Sequence, residues 1–380
     1  MYPKFSAVAA ALLLPFLLGC SDSDGDRRPD QAVPTDFSAA NASLDAFVAG
    51  HPGFDGGSYI VVDKREGVIH TYATGTFTED SIVMLASTSK MPAATLLMAL
   101  AEDDNIDFEI DRVIDDYLPW EGVWTGRTTE QLLSNTSGIP GLGQLGGYGA
   151  HMCQYIPVGQ LLDCAQTIYQ TPLPGLVSTP PGTAFDYGGS QWQLAGGVAE
   201  VVGGASWNQL LHQYISEPCG LEVFEFGNTL ATFDRWEGDP DGLLGRENPN
   251  IEGGAITNLA DYAKILELHL NDGRCGDTQV LPPEAVAFMR IDRGWAAGRD
   301  PQGSGYGMGW WIVPAADGGE PTLFLDPGAF GAVSWIDLER EYAGLMLVQS
   351  ATLPEGGDGS GFGTGELIPL IQAAYDAARP

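Results

Sequence analysis

The sequence predicts an α/β (α+β) protein: an antiparallel sheet flanked by helices, with a mostly helical region inserted into it. Three observations carry this reading. Strand-like runs lie at both ends of the chain, at 59–62 and 67–74 and again in four short runs after residue 309. Neighbouring runs are joined by tight turns, which antiparallel pairing accommodates and parallel pairing does not. Between the two ends, residues 105–254 carry short helix-like pieces separated by Gly- and Pro-rich loops.

Composition bounds the rest. The chain has 380 residues, 44% of them hydrophobic, which is enough for a packed core. It carries 17 Lys+Arg against 50 Asp+Glu, a net charge of −33, with only four lysines. No basic stripe can be assembled from these, so nucleic acid is excluded as a partner.

The elements follow in order. Lys4 precedes an apolar run over 5–18, too short for a bilayer of roughly 30 Å but suited to a secretory leader. It ends in Leu17-Leu18-Gly19-Cys20, which resembles the bacterial lipoprotein signal. The expectation is a leader over 1–19, lipidation at Cys20 and a polar tether over 20–40, placing the body at the cell envelope on a membrane lipid anchor. A single body over 41–380 follows, its α/β part built from about 41–104 and 255–380 around the helical region 105–254. Within it, 43–48 reads as a short helix, 59–62 and 67–74 as a hairpin, and 87–102 as a buried helix with apolar residues at helical spacing. Helical pieces follow at 130–133, 158–169, 191–202 and 207–215. Residues 257–270 form the clearest amphipathic helix, with Asn258 as its N-cap. Strands return at 310–313, 322–325, 332–336 and 345–348, and 366–378 closes as a helix.

Apart from Cys20, the cysteines number four. Cys153 with Cys164 and Cys219 with Cys275 is the simplest of three possible pairings, and an even count suits an oxidising compartment. No Cys/His spacing suggests zinc, so neither a metal nor a cofactor is expected.

The chemistry points to Ser87-Thr88-Ser89-Lys90. A spacing of three puts hydroxyl and ammonium on one helical face, and the helix start favours a developing alkoxide. A neutral Lys90 could take the Ser87 proton, which requires its pKa to fall. No G-x-S-x-G, H-E-x-x-H or Walker pattern competes, and the G-x-G-x-x-G over 141–146 lacks a preceding strand. The five histidines are scattered and read as surface or structural residues, with His151 the one nearest the Gly-rich loops. Trp310 and Trp311 are candidates for an aromatic wall or for core packing.

Around that serine, Leu85-Ala86-Ser87-Thr88-Ser89-Lys90-Met91-Pro92 resembles the active-serine helix of the serine β-lactamase and penicillin-binding-protein superfamily, particularly its class C-like hydrolases and esterases. Residues 105–119 (NIDFEIDRVIDDYLP), 129–139 (TEQLLSNTSGI), 181–187 (PGTAFDY), 194–200 (LAGGVAE), 253–255 (GGA) and 328–331 (GAFG) are similar to further segments of that superfamily and stand in its order. The similarity covers most of residues 55–375. It implies that Ser87 is the acylated nucleophile, Lys90 its base and Tyr187 the relay to the leaving group. It also implies that the backbone N–H groups of Ser87 and Ala329 hold the oxyanion.

Two departures stand out. Gly189 replaces an asparagine that orients substrate and lysine, and Asp326, two residues before Gly328, replaces a cation that attracts substrate carboxylates. With Gly189, Asp326 and Gly328 taken as substrate-contacting positions, Asp326 is expected to face the cleft and repel carboxylates. The expected activity is therefore an exported serine hydrolase acting through an acyl-enzyme on small uncharged esters. The alternatives are a D-amino-acid peptidase or amidase, a weak β-lactamase, or a catalytically silent envelope binding protein.

Overall fold

The computed structural model describes residues 35–143, 149–233, 236–300, 303–350 and 353–379. The leader, Cys20 and most of the tether lie outside the described residues, as does part of the 141–146 glycine motif.

The expected hairpin is β1 (Phe54–Asp63) and β2 (Gly67–Gly75). A second sheet, described below, takes β3 (Val83–Met84), β4 (Glu225–Phe226) and β5 (Ala255–Thr257), and β6 (Arg274–Cys275) pairs with β7 (Thr278–Gln279) as a separate ribbon. The chain then returns through β8 (Gly305–Tyr306), β9 (Trp311–Ile312), β10 (Leu323–Pro327), β11 (Val333–Asp337) and β12 (Tyr342–Ser350). The principal sheet has seven strands in the order β2-β1-β12-β11-β10-β9-β8, with antiparallel pairing throughout. The two ends of the chain meet where β1 pairs with β12, Tyr59 opposite Met346 and Ile60 opposite Leu345.

Alternation along β1 explains the layering. Ile60 and Val62 face one core, shared with α2 (Lys90–Glu102), α5 (Gly189–Gly203) and the helix Leu259–Leu270. Tyr59 and Val61 face the opposite core with Leu44 and Phe47 of α1 (Ser38–Gly50) and with Ile368, Ile371 and Tyr375 of the helix Ile368–Ala378. Helices therefore cover both faces of an antiparallel sheet, as expected.

Several boundaries differ from the sequence reading. The first helix starts at Ser38, five residues early, because Ala40 as well as Leu44 and Phe47 is buried against the sheet. The final helical stretch begins at Leu353, thirteen residues early, through a glycine-rich segment whose low helix propensity hid it. Asn258 caps the helix Leu259–Leu270 as expected, its side chain accepting from the Asp261 N–H at 2.9 Å. The inserted region supplies α3 (Thr129–Leu133) and α4 (Leu161–Gln170), which with α5 correspond to the expected pieces. Cys153 pairs with Cys164 and Cys219 with Cys275, the simplest arrangement.

The second, three-stranded sheet has the order β3-β5-β4. Its strands of two or three residues are too short for any periodic signal. They matter because β3 leads straight into the Ser87 turn.

Candidate active site

Ser87 sits in a single tight turn, Ala86–Ser89, that opens α2. The turn is held from three directions. Toward β5, Leu85 N–H donates to Ala255 O at 2.9 Å and Ala255 N–H donates to Ser89 Oγ at 3.0 Å. From the helix Leu259–Leu270, the Tyr262 hydroxyl donates to Thr88 O at 2.9 Å. At the end of β10, Asp326 Oδ2 accepts from Met91 N–H at 3.1 Å, and Thr88 Oγ1 donates to Ala332 O at 3.2 Å. Ala86, just before the serine, has φ +48°, a left-handed conformation that an alanine adopts only where its surroundings impose it. The neighbours of Ser87 are thus fixed while its own side chain stays half-exposed.

Lys90, one turn on, is fully buried. Its Nζ donates to Ser87 Oγ at 3.1 Å and to the Glu252 backbone carbonyl at 2.8 Å, and lies 3.3 Å from Glu252 Oε2. It sits 4.6 Å from the centre of the Tyr187 ring and 5.7 Å from that of Trp192. Burial alone would lower the lysine pKa, but Tyr187, Glu252 and Asp326 together outweigh it and hold the pKa above the ordinary value. This corrects the expectation of a depressed lysine: the protein surrounds Lys90 with acidic groups, which stabilise the ammonium.

Tyr187 is set by the stretch 129–139. Asn135 O accepts from Asp186 N–H at 2.9 Å, and Asn135 Oδ1 accepts from Gln191 Nε2 and Trp192 Nε1 at 2.9 and 3.0 Å. Trp311 stacks on the Tyr187 ring at 5.5 Å, whereas Trp310 is fully buried in the core, so only one of the paired tryptophans forms the aromatic wall. Burial pushes the Tyr187 phenol up; Lys90 and Ser87 pull against this without reversing it.

Three positions expected to contact substrate are placed differently. Asp326 is fully buried beneath the serine turn, with one oxygen on Met91 N–H and the other without a hydrogen-bond partner. It therefore cannot meet a substrate. Burial drives its carboxyl pKa far above the usual range, against the pull of Met91 N–H and Lys90. Gly189 is also buried: a Cβ there would lie 2.2 Å from both Glu252 Oε1 and Gln154 Oε1. Gly328 provides close approach, since a Cβ would fall 2.1 Å from Leu85 O. The exposed neighbour of Gly328 is Ala329, which shares a cavity wall with Ser87. His151 is a buried structural residue, its ring nitrogens 2.9 Å from Ser190 Oγ and 3.0 Å from Thr171 O.

The sequence reading missed Glu252 and Tyr155, whose hydroxyl donates to Glu252 Oε1 at 2.8 Å. Glu252 immediately precedes the Gly253-Gly254-Ala255 segment, and the loss of a side chain at Gly189 was the one available signal that another group fills that space. Ser87 opens onto a cavity of about 290 Å3 lined by Leu142, Met152, Leu230 and Phe330 among others, with Glu252 its one charged lining residue among the described residues. Among the described residues no group of three or more His, Cys, Asp or Glu is arranged to hold a metal ion, and no helix is long and apolar enough to cross a membrane.

Comparison with known proteins agrees with this geometry. Penicillin-binding protein 4 of Amycolatopsis lactamdurans is 26% identical over 358 residues, covering 88% of this chain and 85% of that protein. A beta-lactamase-like protein of Bacteroides dorei superposes with a TM-score of 0.70 at 26% identity, covering 90% of this chain and 99% of the other. EstCE1, a hydrolase with promiscuous acyltransferase activity, shares the fold with a TM-score of 0.68 at 20% identity, covering 89% of this chain and all of the other (100%). The Beta-lactamase family model matches residues 44–360, and the chain belongs to that family of serine hydrolases.

Proposed function

We propose that the protein hydrolyses small esters with uncharged acyl groups through an acyl-enzyme on Ser87. The observation that carries this is a half-exposed Ser87 whose Oγ lies 3.1 Å from a buried Lys90 Nζ, opening onto an apolar cavity with no cationic lining residue among the described residues. Once the Lys90–Tyr187 pair has lost one proton to solvent, Ser87 Oγ attacks the ester carbonyl carbon and its own proton passes to that pair. The oxyanion meets the N–H groups of Ser87 and Ala329. The bond to the alcohol breaks as Tyr187 returns the proton to the leaving oxygen, and water then repeats the sequence to release the acid.

The preference for uncharged substrates no longer rests on Asp326. It is supported by the apolar lining and by Glu252, an acidic residue on the cavity wall, which disfavours a substrate carboxylate. The Leu17-Leu18-Gly19-Cys20 signal and the two disulfides support lipid anchoring at Cys20 and residence in the cell envelope.

Ser87→Ala tests the mechanism. With p-nitrophenyl butyrate, kcat should fall by at least roughly a thousandfold, and fluorophosphonate should label the wild type on the peptide containing Ser87 but not the variant. Paired esters sharing one leaving group, with and without an acyl carboxylate, should show the neutral member preferred. Full turnover in a folded Ser87→Ala would overturn the mechanism. A wild type that takes no label and turns over neither ester would favour a silent binding protein.

A further inference from the structure

We propose that Glu252 is the positioning residue for Lys90, filling with its carboxylate the space that Gly189 leaves empty, so that the two positions form a matched pair. The proposal rests on the acyl-enzyme reading and adds to it the group that orients the lysine and sets its charge.

The geometry is mutual. A Cβ on Gly189 would lie 2.2 Å from Glu252 Oε1, 2.4 Å from Glu252 Cδ and 2.2 Å from Gln154 Oε1, so the carboxylate, with the Gln154 amide beside it, stands where any side chain at 189 would begin. Glu252 holds Lys90 twice, with its backbone carbonyl at 2.8 Å and with Oε2 at 3.3 Å. The second oxygen, Oε1, is held by the Tyr155 hydroxyl at 2.8 Å, which fixes the plane of the carboxylate. Both partners are almost completely withdrawn from water, with side-chain exposures of 0% for Lys90 and 9% for Glu252. A contact of this kind lacks the solvent screening that makes surface pairs weak.

The groups facing Lys90 come from four parts of the fold. Tyr187 precedes α5, Ser87 lies on its own turn, Asp326 is on β10, and Glu252 belongs to the loop before β5. Tyr306, on β8, feels Tyr187, Asp326 and Glu252 in turn. Asp326 Oδ2 is taken up by Met91 N–H, whereas Glu252 Oε2 lies 3.3 Å from Nζ. Glu252 is therefore the carboxylate that pairs with the ammonium: it favours proton retention by Lys90 and directs Nζ toward Ser87 Oγ. An uncharged amide at position 189 could orient the lysine without that electrostatic effect. Placing a carboxylate there makes the Lys90–Tyr187 pair harder to deprotonate, and the acid limb of the activity profile should lie correspondingly high.

The test is the pH profile of kcat/KM for p-nitrophenyl butyrate, read together with the pH dependence of fluorophosphonate labelling. Glu252→Gln should move the acid limb of both profiles to lower pH by about half a unit or more, because the anion that retains the proton is gone. Glu252→Asp, shorter by one methylene, should move it less in the same direction and carries the test if the Gln variant does not fold. A double-mutant cycle supplies a second readout. Gly189→Ala alone should cut kcat at least about tenfold by displacing the carboxylate together with Gln154 Oε1, and should cost clearly less in a Glu252→Ala background, where only Gln154 is left to move. An acid limb that stays put in a folded Glu252 variant, or costs at the two positions that simply add, would overturn the pairing. Labelling that maps away from Ser87 would instead fault the acyl-enzyme reading.

Discussion

Backbone oxyanion donors cannot be removed by deleting a side chain, but Gly328 gives access to the pair proposed for that role, Ser87 and Ala329. Its Cα faces the serine turn closely enough that an added Cβ would fall 2.1 Å from Leu85 O and 2.7 Å from Thr88 Oγ1. Ordinary carbon-to-oxygen contacts lie near 3.3 Å, so Gly328→Ala forces the two segments apart by about 1 Å. Neither segment can move freely. Gly328 N–H is bonded to Ala332 O at 2.7 Å, and on the far side Gly356 packs so tightly that a Cβ there would lie 1.8 Å from Ala329 O. The strain therefore falls on the spacing between Ser87 and Ala329. A misplacement of about 1 Å costs on the order of a hundredfold in rate, and loss of one oxyanion donor roughly a hundred- to a thousandfold. We expect kcat for p-nitrophenyl butyrate to drop by about two to three orders of magnitude, with KM within a few-fold, because the oxyanion forms only in the transition state. The melting temperature, measured alongside, establishes that the variant is folded. A folded Gly328→Ala enzyme with kcat within about threefold of wild type would refute the placement of the oxyanion site at Ala329.

Two further outcomes follow from buried carboxyl groups. Asp326 is fully buried beneath the serine turn, where burial pushes its carboxyl pKa up, so Asp326→Asn should leave the ratio of neutral to carboxylate-bearing ester turnover nearly unchanged; a large change in that ratio would return Asp326 to the cleft. Asp63, at the end of β1, accepts from Tyr375, from Arg65 and Glu66 N–H, and from Arg379; burial raises its pKa, but these groups outweigh it and the net shift is downward from 3.8. A depressed folded pKa stabilises above the unfolded value and loses that contribution as pH falls through the folded one. The melting-temperature gap between wild type and Asp63→Asn should therefore be flat from about pH 7 to 5 and shrink below about pH 4; a gap that widens in acid would contradict the sign.

Legibility differed by the range over which the signal acts. Ser87 and Lys90 are three residues apart, so the helix brings them together and the pattern could be read locally. The hairpin of β1 and β2, the capped helix behind Asn258 and the strand runs after residue 309 were legible for the same reason, each carrying its own periodicity or cap. The strands β3 and β5 were not, because two or three residues have no period, and what defines them is the pairing of Met84 with Ile256. Asp326 failed differently. Its motif identified the right strand end, but the direction of its side chain depends on whether it faces substrate or the Met91 N–H, and sequence order does not decide that.

Glu252 is the case with the most consequence for mechanism. Read as a deletion, Tyr187-Gly188-Gly189 argues for a weakened site, since the lysine has lost a partner. In three dimensions it is an exchange: the group removed at 189 is replaced by one arriving from 63 residues further along the chain, in contact with the same Nζ. The exchange is not isosteric in charge. A neutral orienting group would leave Tyr187 and Asp326 alone to oppose burial, whereas a carboxylate adds to them in favouring the ammonium, which is the direction the environment of Lys90 shows. Glu252 is also among the residues lining the cavity, so one substitution pattern bears on both the proton affinity of the lysine and the sign of charge the acyl group meets. Charge selectivity and pH dependence should therefore change together in Glu252→Gln, with carboxylate-bearing esters gaining relative to neutral ones as the acid limb moves down. If one property moved without the other, the cavity wall and the lysine partner would have to be different groups.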